Sequence, residues 1–178
     1  MALSSRPRKG TVMTENLPRV AGVTVGGPMS LRIRWRGVRA ADFVDLTGWV
    51  ATGGDVLAPL RDESVFARAR IENYGAAVAW DAGDLAIDAV HLKKLAEEQR
   101  PFGPDDVVVW QRTTKLSNNE AASLIGVSLS TWNGYKAGSP IPRPIAMICR
   151  AVLRDPIMMQ AHLRPRVAGR PRSKSAAR

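Results

Sequence analysis

Ser128, Ser130, Thr131, Asn133 and Lys136 fall within one nine-residue stretch, flanked upstream by Asn118 and Asn119 and downstream by Arg143. Short hydroxyl and amide side chains can both donate and accept hydrogen bonds, which is the chemistry needed to match the edges of base pairs in a major groove. A lysine or arginine beside them supplies the charge that holds a phosphate. Such a set works only if one rigid element presents it on a single exposed face.

The surrounding residues predict that element. Ser117 and Glu120 have the S-x-x-E spacing of a capping box, which satisfies free N–H groups at a helix start and places a helix at about Asn118 to Ile125. Gly126 ends it, since glycine tolerates the left-handed backbone of a sharp exit. Ser128 is a good N-cap for a second helix running to about Ala137 and stopped by Gly138. Ala122 is small enough for close approach of two helices, and Ala121, Ile125, Val127, Trp132 and Tyr135 can lock the turn. Trp132 and Tyr135, three residues apart, share a face and leave Ser130, Thr131, Asn133, Gly134 and Lys136 pointing elsewhere. Gly134 inside this helix costs about 1 kcal/mol relative to alanine, so it either permits close approach to DNA or weakens the helix.

These residues resemble the helix-turn-helix of lambda-repressor-like (Xre/Cro-type) regulators, over about Gly103 to Leu163. The resemblance implies a five-helix DNA-binding domain. Pro104 with Asp105 and Asp106 can open its first helix; Ile145, Ile148 and Val152 mark a fourth, ended by Asp155-Pro156; PIMMQAHL forms a short fifth. On this reading the DNA-contacting set is Asn118, Asn119, Ser128, Ser130, Thr131, Asn133, Gly134, Lys136 and Arg143, with Arg170 and Arg172 added from the C-terminal tail.

Charge agrees with a polyanionic partner. The chain has 178 residues and a net charge of +10. Residues 102–178 hold twelve Lys/Arg against four Asp/Glu, a balance of +8, and residues 1–101 hold fourteen against twelve, a balance of +2. A basic surface binds phosphates through counterion release, although a membrane or RNA would also be attracted to it. The N-terminus lacks the apolar core of a signal peptide and no apolar run is long enough to span a membrane, so a cytoplasmic, nucleoid-associated location without membrane attachment is expected. Cys149 in MICRAV reads as a small core residue, and His91 and His162 have no Cys or His at ligand spacing. No phosphate-binding glycine loop or nucleophile motif is visible, and the carboxylate pairs Asp62/Glu63 and Glu97/Glu98 sit in polar, solvated stretches. The expectation is a protein without enzymatic activity, metal or cofactor.

The first half has a different texture. LRIRWR alternates Leu31, Ile33 and Trp35 with Arg32, Arg34 and Arg36, the pattern of a strand with one buried face. A solvated face is the simpler account of the three arginines, with nucleic-acid contact as the alternative. Further strands are expected at Val20 to Val25, Asp42 to Leu46, Ala67 to Glu72 and Ala76 to Trp80, with NYG as a turn and a helix over Asp88 to Gln99. VDLTGW at 44–49, APL at 58–60, Phe66 and AWDAGDLAIDAV at 79–90 resemble the bacterial family catalogued as domain of unknown function 2442. That resemblance, over about residues 17–95, implies a small α+β domain and brings no catalytic residues; Asp84 within it suits capping of backbone N–H groups, with a functional role as the alternative.

The predicted organisation is α+β: a basic disordered tail at 1–16, an α+β domain at 17–99, a linker at 100–104, an all-α five-helix helix-turn-helix domain at 105–163, and a second basic tail at 164–178. In that last tail AGRPRSK is similar to a degenerate AT-hook, placing Arg170 and Arg172 in a narrow A·T-rich minor groove, or else the tail only holds phosphates. The function expected is a sequence-specific transcriptional regulator, a repressor or autoregulator binding double-stranded DNA as a homodimer. The alternative is an antitoxin-like interaction protein whose N-terminal domain binds a partner protein.

Overall fold

In the computed structural model of the chain, residues 17–81 and 85–164 are described. Asp84, Arg170, Arg172 and both expected tails other than Arg164 lie outside these residues. The fold is α+β, and the chain divides between Gln99 and Arg100 into two compact units.

The first unit opens with an antiparallel meander of β1 (Val20–Gly27), β2 (Ser30–Trp35) and β3 (Ala41–Asp45). The alternation in β2 does what a two-residue side-chain period requires: Leu31, Ile33 and Trp35 are buried, while Arg32 and Arg34 face solvent. Leu31 pairs with Val44 across the sheet, and Trp35 donates its indole N–H to Asp42 Oδ2 at 2.6 Å. A second antiparallel sheet is formed by β4 (Arg70–Glu72), β5 (Ala77–Ala79) and β6 (Ala86–Asp88). Helix α4 (Ala89–Gln99) follows and buries Ala89, Leu92 and Ala96 in the same core.

No helix or strand was expected over residues 47–66. They form the short helices α1 (Thr47–Thr52), α2 (Gly54–Leu57) and α3 (Glu63–Phe66), with a 3₁₀ turn at Ala58–Arg61. The cause of α3 is Asp62, whose carboxylate accepts from Ser64 N and Val65 N; Asp62 and Glu63 are exposed, as expected of a solvated pair, and Asp62 in addition caps a helix. The strand expected from Ala67 accordingly begins only at Arg70. The NYG turn is built on left-handed backbone, with φ of 48° at Asn73, 56° at Tyr74 and 88° at Gly75. Gly75 is required twice over, since a Cβ there would lie 2.3 Å from the carbonyl oxygen of Val20.

The second unit consists, among the described residues, of α5 (Pro104–Thr114), α6 (Asn118–Ile125), α7 (Leu129–Lys136), α8 (Arg143–Arg154) and α9 (Pro156–His162). The segment expected as a short linker at 100–104 makes contacts with this unit: the carbonyl of Arg100 accepts from Arg150 at 2.6 Å, and the Arg150 guanidinium lies over Phe102 at 5.2 Å. Gly103 caps α5, donating its N–H to Asp106 at 2.9 Å, with Pro104 as the first helical residue. The core gathers Val107, Trp110, Ala121, Ala122, Ile125, Trp132, Tyr135, Cys149 and Val152. Trp110 and Trp132 meet edge-on with ring centroids 5.4 Å apart, a geometry worth about 0.5–1.5 kcal/mol beyond area burial.

Candidate nucleic-acid interface

The capping box at the start of α6 is complete. Ser117 N–H donates to Glu120 Oε2 at 2.9 Å and Glu120 N–H donates to Ser117 Oγ at 3.3 Å. The Ser117 bonds to the ionised carboxylate hold the Glu120 pKa below its ordinary value. At the far end Gly126 has φ 82°, and the bonds from Val127 N–H to the Ala122 carbonyl and from Gly126 N–H to the Ser123 carbonyl close a Schellman motif. The turn then re-enters helix at Ser128, whose Oγ accepts from Thr131 N–H at 3.0 Å.

Helix α7 buries Trp132 and Tyr135 and leaves Ser130, Thr131 and Asn133 exposed. Ser128 is exposed but committed, its hydroxyl lying 2.8 Å from that of Thr131 as well as capping the helix. Leu129, which sequence reasoning passed over, is 41% exposed beside the polar residues. An apolar group there suits the methyl of a thymine. The helix ends in a second Schellman motif: Ser139 N–H donates to the Gly134 carbonyl at 2.9 Å, Gly138 N–H donates to Tyr135, and Gly138 has φ 109°. This explains part of Gly134. A Cβ there would stand 3.1 Å from Ser139 Oγ, so the helix's own exit loop crowds the position.

Lys136 and Asn118 are not simple surface contacts. Gln111, near the end of α5, donates to the Leu116 carbonyl at 3.0 Å and to Asn118 Oδ1 at 2.8 Å. Its Oε1 accepts from Trp132 Nε1 at 3.2 Å and from Lys136 Nζ at 3.1 Å. Lys136 also donates to Asn118 Oδ1 at 2.9 Å. Asn118 is thus an internal brace between α5, α6 and α7. Both oxygens facing the ammonium are neutral amides, so they position its charge without cancelling it, and one of its three protons remains for an outside acceptor. Lys136, Arg112 and Lys115 rim an open basin of about 370 Å³ lined also by Gln111 and Leu116. Arg112 and Lys115 were missed from sequence; their three-residue spacing at the C-terminal end of α5 is the signal that places them together.

Asn119 is exposed in the first turn of α6, and Arg143 is exposed as the first residue of α8. Cys149 is fully buried, its carbonyl accepting from Trp110 Nε1, and burial pushes its thiol up to about 12. Among the described residues, no group of three or more His, Cys, Asp and Glu side chains converges on a point, and no helix is long and apolar enough to cross a membrane.

No family model matches the chain, and no curated protein matches it. Among solved structures, the chain is similar to the Nitrosomonas europaea ATCC 19718 protein NE0471, described as a candidate DNA-binding protein. The two are 24% identical with a TM-score of 0.42, over 89% of this chain and 96% of that one.

Proposed function

We propose that the second unit binds double-stranded DNA, with α7 as the reading helix, and that the protein regulates transcription by occupying an operator. The observation that carries this reading is the split character of α7. Its apolar side is immobilised by Trp132 and Tyr135 in the core, and its outer side presents Leu129, Ser130, Thr131 and Asn133 from a capped N-terminal turn. A rigid helix with short polar groups outward can enter a groove about 12 Å wide without a desolvation penalty from fixed acids, and none of those four residues is acidic. Lys136, Arg112, Lys115, Asn119 and Arg143 supply donors for the flanking phosphates, which set register rather than sequence.

One such helix reads only a few base pairs, so a homodimer on two half-sites about one helical turn apart is the arrangement that reaches useful affinity. The test is selection of bound fragments from a random duplex library with the full chain. A motif with inverted symmetry is the expected outcome; recovery of random sequence at every salt concentration would remove sequence-specific regulation as the function.

A further inference from the structure

The exposed face of the β1–β3 sheet is basic and aromatic. Arg32 and Arg34 stand in register with Phe43 and Ala41 on β3, and with Thr24 and Gly22 on β1. With Arg39 they line an open groove of about 440 Å³ that includes no acidic residue. Phe43 is 63% exposed, and the Arg32 guanidinium lies 5.8 Å from its ring centroid. Two glycines of β1 keep this surface low. A Cβ at Gly22 would come within 3.1 Å of the Arg34 guanidinium, and one at Gly26 within 3.2 Å of the Phe43 ring. Asp45, the acid at the end of this face, accepts from Thr47 N–H at 2.8 Å, and Asp42 is taken by Trp35 and Lys93. None of Arg32, Arg34 and Arg39 is ion-paired among the described residues.

We propose that this face is a second nucleic-acid site, which binds single-stranded DNA. The arginines match the backbone charge, and a flat aromatic ring open to solvent gives an unpaired base a surface to stack on. A duplex keeps the faces of its bases stacked on one another, so Phe43 would reach them only at the cost of unstacking a base step. An acidic peptide would satisfy the arginines and leave the ring unused. The inference goes beyond duplex binding by α7 and does not depend on it.

The probe is a fluorescein-labelled oligothymidylate of about 12 nucleotides, titrated with the full chain by anisotropy at several salt concentrations. Phe43→Ala should weaken its binding by roughly tenfold, while Phe43→Trp should bind at least as tightly, which separates stacking from misfolding. Phe43→Leu should behave like Phe43→Ala, because it keeps apolar bulk and loses the flat ring. Arg32→Gln with Arg34→Gln should flatten the plot of log affinity against log salt by about 1.4, the equivalent of two neutralised single-strand phosphates. Binding of the selected duplex should be unchanged in all of these variants. Equal affinity of Phe43→Ala and the parent chain for the oligothymidylate would overturn the proposal. Tighter binding of the matching oligouridylate would overturn the assignment to DNA, and competition by polyglutamate as effective as by oligothymidylate would show a site for acidic peptide instead.

Discussion

Gln111 shows what a single residue can hold in this protein: its amide satisfies the Leu116 carbonyl and the Trp132 indole while bracing Lys136 and Asn118. Gln111→Leu should therefore lower unfolding stability by about 1–3 kcal/mol, at the lower end because the site is half-exposed to water. A shift of the urea midpoint at constant slope would check it. Glu120 gives a prediction in pH. Its folded pKa is depressed by the Ser117 hydrogen bonds, so the stabilisation is fully present above the unfolded value of about 4.3 and is lost as pH falls through the folded value. Glu120→Gln keeps a side chain able to close the capping box, so its stability near neutrality should stay close to that of the parent chain, with a shallower fall below about pH 4.3. Urea midpoints measured across that range would show an unchanged fall if Glu120 had no part in it. At this scale the sequence was legible wherever a residue acts on its own helix: Ser117, Glu120, Gly126 and Ser128 all serve as their spacing predicts. Gln111 was not legible, because its partners lie up to 25 residues away and only the packing of three helices brings them together.

Among the elements, α7 carries the most information. Gly134 sits in its last turn, and the atom that a Cβ would crowd is the hydroxyl of Ser139, an exposed side chain free to rotate while its own Cβ stays at 3.7 Å. Gly134→Ala should therefore stabilise the unit, by up to about 1 kcal/mol from helix propensity. Thermal unfolding measures that effect, and duplex affinity measured on the same variant separates the two reasons for the glycine. Higher stability with weaker binding would mean that DNA approaches the bare backbone, and lower stability with unchanged binding would mean that the exit loop alone requires the glycine. The helical half could be read from sequence because caps and 3.6-residue periodicity are local signals. The region from Thr47 to Phe66 could not. Its helices run four to six residues, too short for periodicity to register, and are held by burial of Val50, Leu57, Leu60 and Phe66 against the sheets.

At the scale of the whole molecule, charge is what the proposed DNA binding depends on most. The segment 164–178 contains six Lys/Arg and no acid. Every phosphate that goes without its cation flattens the salt plot by about 0.9, so deleting this segment should reduce the duplex slope by several units while leaving the preferred motif intact. Loss of preference for A·T-rich flanks in the same deletion would instead favour minor-groove reading by Arg170 and Arg172. The central claim is that α7 reads bases, and its most direct test is the ratio of affinities for the selected duplex and for random duplex, compared between the parent chain and Ser130→Ala, Thr131→Ala, Asn133→Ala combined. The account predicts that the combined variant keeps its salt-dependent affinity for random DNA and loses specificity by about 1–3 kcal/mol for each bidentate hydrogen-bonded pair removed. An unchanged ratio, or an equal loss on both duplexes, would contradict base reading by α7.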